Sequence, residues 1–303
     1  DDEPPAPRSL AAGTHIMPQN RSGKPSYPIS SRVQRVPPSG IRRFFDLIAS
    51  MEGVISLGVG EPDYPTPWRI REAAIYSLEK GYTMYTSNAG LPELRKELSH
   101  YLQRRYGLEY QPDGELLITS GVSEALDLAL RAILNPGDEV ISPDPTYVAY
   151  SACTILAGGE FVPVLTHVEN DFQVRPQDVE KKVTGNTKAL LLGYPNNPTG
   201  AVMSREALSA VGEVARKNDL LVISDEIYER LVYDGEHVCF PTLDGMKERT
   251  ILLGGFSKGY AMTGWRVGYA AGPAEVIAAM TKVHQYAMLC APIMGQMAAL
   301  EAL

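Results

Sequence analysis

Thr250-Ile251-Leu252-Leu253-Gly254 runs directly into Gly255-Phe256-Ser257-Lys258-Gly259-Tyr260, and Arg266 closes the same loop. An unbroken apolar run of this length reads as a strand buried on both faces, the form strands take in a parallel sheet. Such sheets bind ligands outside the carboxyl ends of their strands. Lys258 stands just past one of those ends, among small residues. A lysine so placed is poorly solvated, which lowers its pKa and makes it a usable amine nucleophile. Taken alone it also fits a surface lysine in a glycine-rich loop, so the neighbouring strand ends have to carry the argument.

The alternation extends backwards from there. Residues 115–119, 139–142, 188–192 and 220–223 are expected strands, and residues 123–134, 147–157 and 205–217 expected helices. Continuous apolar strands alternating with helices predict an α/β fold, a mostly parallel sheet with helices on both faces. Upstream, residues 69–80 and 91–106 read as amphipathic helices, and residues 41–50 as a short one with Ile41, Phe44, Phe45 and Ile48 on one face. Residues 55–67 are punctuated by Gly and Pro and read as a loop. Residues 1–31 are rich in Pro, Ser, Gly and Arg without apolar periodicity and read as a flexible N-terminal extension.

Composition narrows the function classes. A chain of 303 residues has room for a substantial core. Its net charge of −8, with no basic block, argues against a nucleic-acid partner. Cys153, Cys239 and Cys290 are scattered and odd in number, and the five histidines lack paired spacing, so neither disulfides nor a metal site is expected. No apolar run approaches the roughly 18 residues a bilayer span needs. A cytoplasmic protein is expected, or an organellar one if the extension is a processed remnant.

The other strand ends converge on chemistry. One runs into Tyr194-Pro195-Asn196-Asn197-Pro198-Thr199-Gly200, a second into Ser224-Asp225-Glu226-Ile227-Tyr228, and the third reaches Lys258. One bound molecule would meet an amide, a carboxylate, a phenol and an amine. Ser120-Gly121-Val122-Ser123-Glu124 opens a helix, whose free N–H groups and dipole suit an anion. The same run also reads as an ordinary helix cap. Asn197 before a proline also fits a turn residue, Asp225 a helix cap, and Tyr85 and Tyr147 packing aromatics. Trp265 reads as packing.

These residues carry a family resemblance. Gly58-Val59-Gly60-Glu61-Pro62-Asp63, the stretch from Tyr85 to Arg95, Asn197-Pro198-Thr199-Gly200, Asp225-Glu226-Ile227-Tyr228, and Ser257-Lys258 through Arg266 resemble, in order, the class I/II aminotransferases. These are pyridoxal-phosphate enzymes of fold type I, and the resemblance covers residues 33–303. It implies a seven-stranded cofactor domain over residues 69–303, with residues 32–68 forming an N-terminal arm and the start of a small domain. It implies transfer of an amino group from an L-amino acid to a 2-oxo acid by a ping-pong route, with Lys258 as Schiff base and proton carrier. Asp225 is expected at the pyridine nitrogen, and Asn197 and Tyr228 at the phenolic oxygen. Gly121, Val122, Ser257 and Arg266 are expected at the phosphate, and Tyr147 on the ring face. Gly60, with Asn197, is expected at the substrate carboxylate. Tyr85 is expected to reach the phosphate of a neighbouring subunit, which implies a homodimer. A β- or γ-lyase on the same cofactor is the alternative, and a non-catalytic cofactor sensor a remoter one. The donor and acceptor are not legible.

Two departures stand out. Position 255 is Gly where many relatives carry a phosphate-binding Ser or Thr. The chain ends at Leu303, within an apolar helix-like run from Val283. A C-terminally truncated chain is therefore expected, lacking most of the small domain and its carboxylate-clamping arginine, with weakened substrate affinity and domain closure.

Overall fold

The computed structural model describes residues 27–38, 51, 53, 55 and 60–303. The helix expected over residues 41–50, residues 1–26 of the extension and the Gly58-Val59 part of the first motif lie outside the described residues. Seven strands form one sheet: β1 (Leu116–Thr119), β2 (Glu139–Asp144), β3 (Glu160–Leu165), β4 (Thr187–Gly193), β5 (Leu221–Asp225), β6 (Thr250–Gly255) and β7 (Gly268–Ala271). Their order is β1-β7-β6-β5-β4-β2-β3. Only β7 is antiparallel to its neighbours β1 and β6.

The helices are α1 (Ser31–Arg35), α2 (Trp68–Glu79), α3 (Pro92–Tyr106), α4 (Val122–Ile133), α5 (Ala149–Ala157), α6 (Pro176–Glu180), α7 (Arg205–Lys217), α8 (Ala274–Ala287) and α9 (Ile293–Ala302). Strand parity assigns them to the two faces. Leu191, Ile223, Ile251 and Leu253 point to the face covered by Leu126 and Leu130 of α4 and Ile277 and Met280 of α8. Leu190, Leu192 and Val222 point the other way, onto Leu208, Val211 and Ala215 of α7. Leu116, Ile118 and Leu252 share that second face and meet Leu94, Leu98 and Leu102 of α3. Every second residue feeds a different core, which is why these strands are apolar throughout.

Local signals set the helix ends. The Ser204 hydroxyl accepts from the Ala207 N–H to cap α7, while Arg216 and Lys217 face the negative end of its dipole. Pro92 opens α3, and Gly107, left-handed at φ 70°, ends it.

The structure corrects several expectations. β3 was not anticipated; it is an edge strand with Pro163 in it, partly solvated, so its apolar signal is weak. The four-residue β7 and the short α1 and α6 carry too little periodicity to be read. The run from Val283 is not one helix: α8 ends at Ala287, Leu289 turns through φ 68°, and α9 restarts after Pro292. The helix expected from Tyr147 begins at Ala149, leaving Tyr147 in the turn before it.

Among the described residues no helix is long and apolar enough to cross a membrane. None of their His, Cys, Asp and Glu side chains group as a metal site.

Candidate active site

The sheet register sets the site. Gly193 of β4 lies opposite Asp225 of β5, and Asp225 opposite Leu253 of β6. Gly255 and Thr119 both lie opposite Gly268, so the starts of α4 and of the Lys258 loop flank one residue. The strand ends carrying Asn197, Asp225, Lys258 and Gly121 therefore open onto one edge of the sheet.

Asp225 is buried at the tip of β5. Its Oδ2 accepts from the Tyr150 hydroxyl at 2.9 Å, and its Oδ1 from the Ile227 N–H at 3.2 Å. Burial pushes its pKa up to about 6, Glu226 adds to the rise, and the two hydrogen bonds oppose it. A buried carboxylate held by only two donors is poised to gain from a cation brought against it.

Lys258 is half-buried. Its Nζ donates to the Gly60 carbonyl and lies 5.7 Å from the Tyr228 ring centroid. Burial holds this amine below the usual lysine value, Glu61 works against that shift and Arg266 adds to it. The Tyr228 hydroxyl accepts from Asn197 Nδ2 at 3.4 Å. Burial and the Asp225 charge raise the Tyr228 pKa while Asn197 opposes.

At the other end Gly121 (φ 80°) precedes α4. Among the described residues the Val122 and Ser123 N–H groups find no acceptor. The cap reading of this run is half right: no side chain caps Gly121, but Glu124 Oε2 accepts from the Ser120 N–H at 2.5 Å. A Cβ on Gly121 would sit 2.5 Å from an Arg266 guanidinium nitrogen, so the guanidinium lies against bare backbone. Arg266 forms no ion pair among the described residues and donates to the Thr263 carbonyl at 2.9 Å. Ser257 is buried in the same loop. Tyr147 lies within electrostatic reach of both Asp225 and Arg266, which raise and lower its pKa on top of the rise from burial. Its ring meets that of Tyr150, the partner of Asp225, edge-on with centroids 5.8 Å apart.

Gly255 has a physical reason. A Cβ there would lie 2.9 Å from Val122 Cγ2 and 3.2 Å from both Gly268 Cα and Ile227 Cδ1. The neighbours close over this position, and a hydroxyl side chain would have to displace them. Trp265 packs as expected, and its Nε1 also donates to Thr66 Oγ1 at 2.9 Å, pinning residues 60–66 across the lysine loop. Tyr85 is not brought to this cluster; it is 82% exposed.

Sequence reasoning missed Tyr150, whose signal was a phenol on an otherwise apolar helix face, a group that needs a partner when buried. It also missed Glu226, buried beside Asp225. The Glu226 carboxylate accepts from Ser224 Oγ at 2.9 Å and the Phe240 N–H at 2.8 Å, and meets His237 Nε2 at 2.6 Å. Those contacts tie both ends of the loop that carries Tyr228. Arg230, in that loop, donates to the hydroxyls of Tyr101 and Tyr260, fastening it to α3 and to the lysine loop.

The chain resembles known proteins over most of its length. The family model for "Aminotransferase class I and II" matches residues 52–303. The chain is 57% identical over 275 residues to the Bacillus subtilis protein named "Putative aminotransferase YugH", covering 91% of this chain and 71% of that one. It is 44% identical to the aspartate aminotransferase of Pyrococcus abyssi, over 91% of this chain and 71% of the relative. Among solved structures, the aspartate aminotransferase from Thermus thermophilus with maleate superimposes with a TM-score of 0.87 at 40% identity, covering 91% of this chain and 73% of that one. With matches of this extent across the strand ends described above, the chain belongs to the class I and II aminotransferase family.

Proposed function

We propose that this chain binds pyridoxal 5′-phosphate through Lys258 and transfers an amino group from an L-amino acid to a 2-oxo acid in two half-reactions. The observation that carries this reading is the convergence at one edge of the sheet of a half-buried amine, a buried carboxylate and a guanidinium with no ion-pair partner among the described residues. The residues fit the group. Asp225 would face the ring nitrogen, Asn197 and Tyr228 the phenolic oxygen, and Tyr147 the ring. Gly121 and Val122, with Ser257 and Arg266, would hold the phosphate, the bare Gly121 backbone supporting close approach. When bound, this cofactor supplies an electron sink for the electrons released at the substrate α-carbon.

The chain's own groups then divide the work. Lys258 Nζ would hold the cofactor and, once freed by an incoming amine, would accept the proton leaving the substrate α-carbon. Its lowered pKa leaves more of the amine unprotonated at neutral pH. Asp225 keeps the ring nitrogen charged, because an anion beside a cation favours both charged forms. Gly60, which already meets Lys258 Nζ, is our candidate for the substrate carboxylate contact, together with Asn197.

We further assign residues 69–303 to the cofactor domain and 32–68 to an arm and the start of a second domain, in a cytoplasmic homodimer. Borohydride reduction of the cofactor-loaded chain followed by peptide mapping tests the core: the label is expected on Lys258, and a label on another lysine overturns it. Release of the amino nitrogen as free ammonia together with pyruvate, with the cofactor left unaminated, would overturn the transfer reaction.

A further inference from the structure

Glu124 is an anion in the wrong place. It sits in the first turn of α4, whose Val122 and Ser123 N–H groups find no acceptor among the described residues. Negative side chains in a first turn are drawn to those donors and to the positive end of the helix dipole. On the reading given above, that end is where the cofactor phosphate binds, so Glu124 is a built-in competitor for it.

The structure holds the carboxylate elsewhere. Glu124 turns backwards, accepting from the Ser120 N–H through Oε2, and its Oε1 meets His284 Nδ1 at 2.7 Å. His284 comes from α8, which packs along α4 through Ile277 and Met280. Its ring is fully buried, and its Nε2 has no hydrogen-bond partner among the described residues. Leaving a buried polar atom unsatisfied is costly, so the imidazole tolerates a loss on one side to keep Glu124 on the other. The Met288 and Leu289 N–H groups both donate to the His284 carbonyl, which fixes the backbone that aims the ring.

We propose that His284 is a positioning residue for phosphate recognition: it holds the Glu124 carboxylate behind the first turn of α4, keeping the chain's own anion off the N–H groups meant for the phosphate. The inference rests on the cofactor reading of this site. Without His284 the carboxylate has one fixed partner in place of two and swings onto the free end of its own helix.

The test compares dissociation constants for pyridoxal phosphate and for pyridoxal, which lacks only the phosphate, followed by absorbance on the chain itself. The ratio of the two isolates the phosphate contribution, which a purely structural role for His284 would leave alone. His284→Leu is expected to shrink the ratio about tenfold. Adding Glu124→Gln to that variant removes the competitor and is expected to restore the ratio to within about threefold. His284→Asn, which keeps an N–H donor near the Nδ1 position, is expected to keep it. Should His284→Leu fail to fold, Glu124→Gln alone is expected to hold or raise the ratio, and a fall overturns the proposal. A wild-type chain that binds both ligands equally overturns the cofactor reading along with this one. A wild-type preference that His284→Leu leaves intact, or that Glu124→Gln does not restore, overturns this one alone.

Discussion

Asp225 is unpaired with any cation among the described residues, and that has a measurable consequence for the cofactor-free chain. Folding raises its pKa to about 6 by burial, above the ordinary carboxylate value. Such a group binds its proton more tightly folded than unfolded. The stability it contributes is complete below the unfolded value and is lost as pH rises toward 6. Asp225→Asn removes that loss, so urea unfolding without cofactor is expected to favour the variant over wild type by about 2 to 3 kcal/mol more at pH 8 than at pH 4. A difference that does not change with pH would refute the assignment. With cofactor the order is expected to reverse, because on the function proposed above the carboxylate would then face the ring nitrogen. Tyr150→Phe takes away the hydroxyl that donates to Asp225 Oδ2 at 2.9 Å, and cofactor affinity is expected to fall about tenfold in a titration. Lys258→Ala is expected to lower the half-reaction rate by about 100- to 10,000-fold, read as loss of the absorbance change on adding an amino acid.

Glycines close the sheet edge where elements meet. Gly268 begins β7 with the Gly121 carbonyl carbon and the Val122 nitrogen each 2.6 Å from where its Cβ would be. Helix α4 can therefore begin directly against the sheet, and Gly255 lets the lysine loop start beside it. Gly255→Ser is expected to cost about 1 to 3 kcal/mol in urea unfolding, because Val122 and Ile227 leave no room. Elements of this kind were unevenly legible. Helix α7 could be bounded to the residue, since Ser204 caps it and its apolar stripe is clean. The central strands were legible because both their faces are buried. β3 and β7 were not, one solvated at an edge and the other four residues long. At the site, Lys258, Asp225 and Asn197 stood out because they follow apolar strands. Tyr150 and His284 did not: they reach the site across the fold, from positions whose local sequence looks like packing, and Glu226, though next to Asp225, takes its meaning from His237 and Phe240 further along the chain.

At the scale of the whole molecule, Tyr85 is the residue the single chain leaves unexplained. It is 82% exposed, and the adjacent Met84 and, earlier in the chain, Tyr64, Trp68 and Tyr76 are exposed as well. Aromatics enriched at an otherwise solvated surface are characteristic of protein interfaces. In the homodimer proposed above, Tyr85 reaching a partner's phosphate would make each site a composite of two chains. Composite sites can be tested by mixing. Lys258→Ala and Tyr85→Ala are each expected to weaken cofactor binding when homodimeric, the first by removing the covalent anchor and the second by removing the cross-subunit contact. After denaturation and refolding together, random pairing makes about half of the dimers mixed, and each mixed dimer has one site with both native residues. About a quarter of all sites should then bind cofactor with wild-type affinity, seen as a tight phase in the absorbance titration that neither variant shows alone. If Tyr85 served only its own subunit, every site in the mixture would still lack one of the two residues and no tight phase would appear.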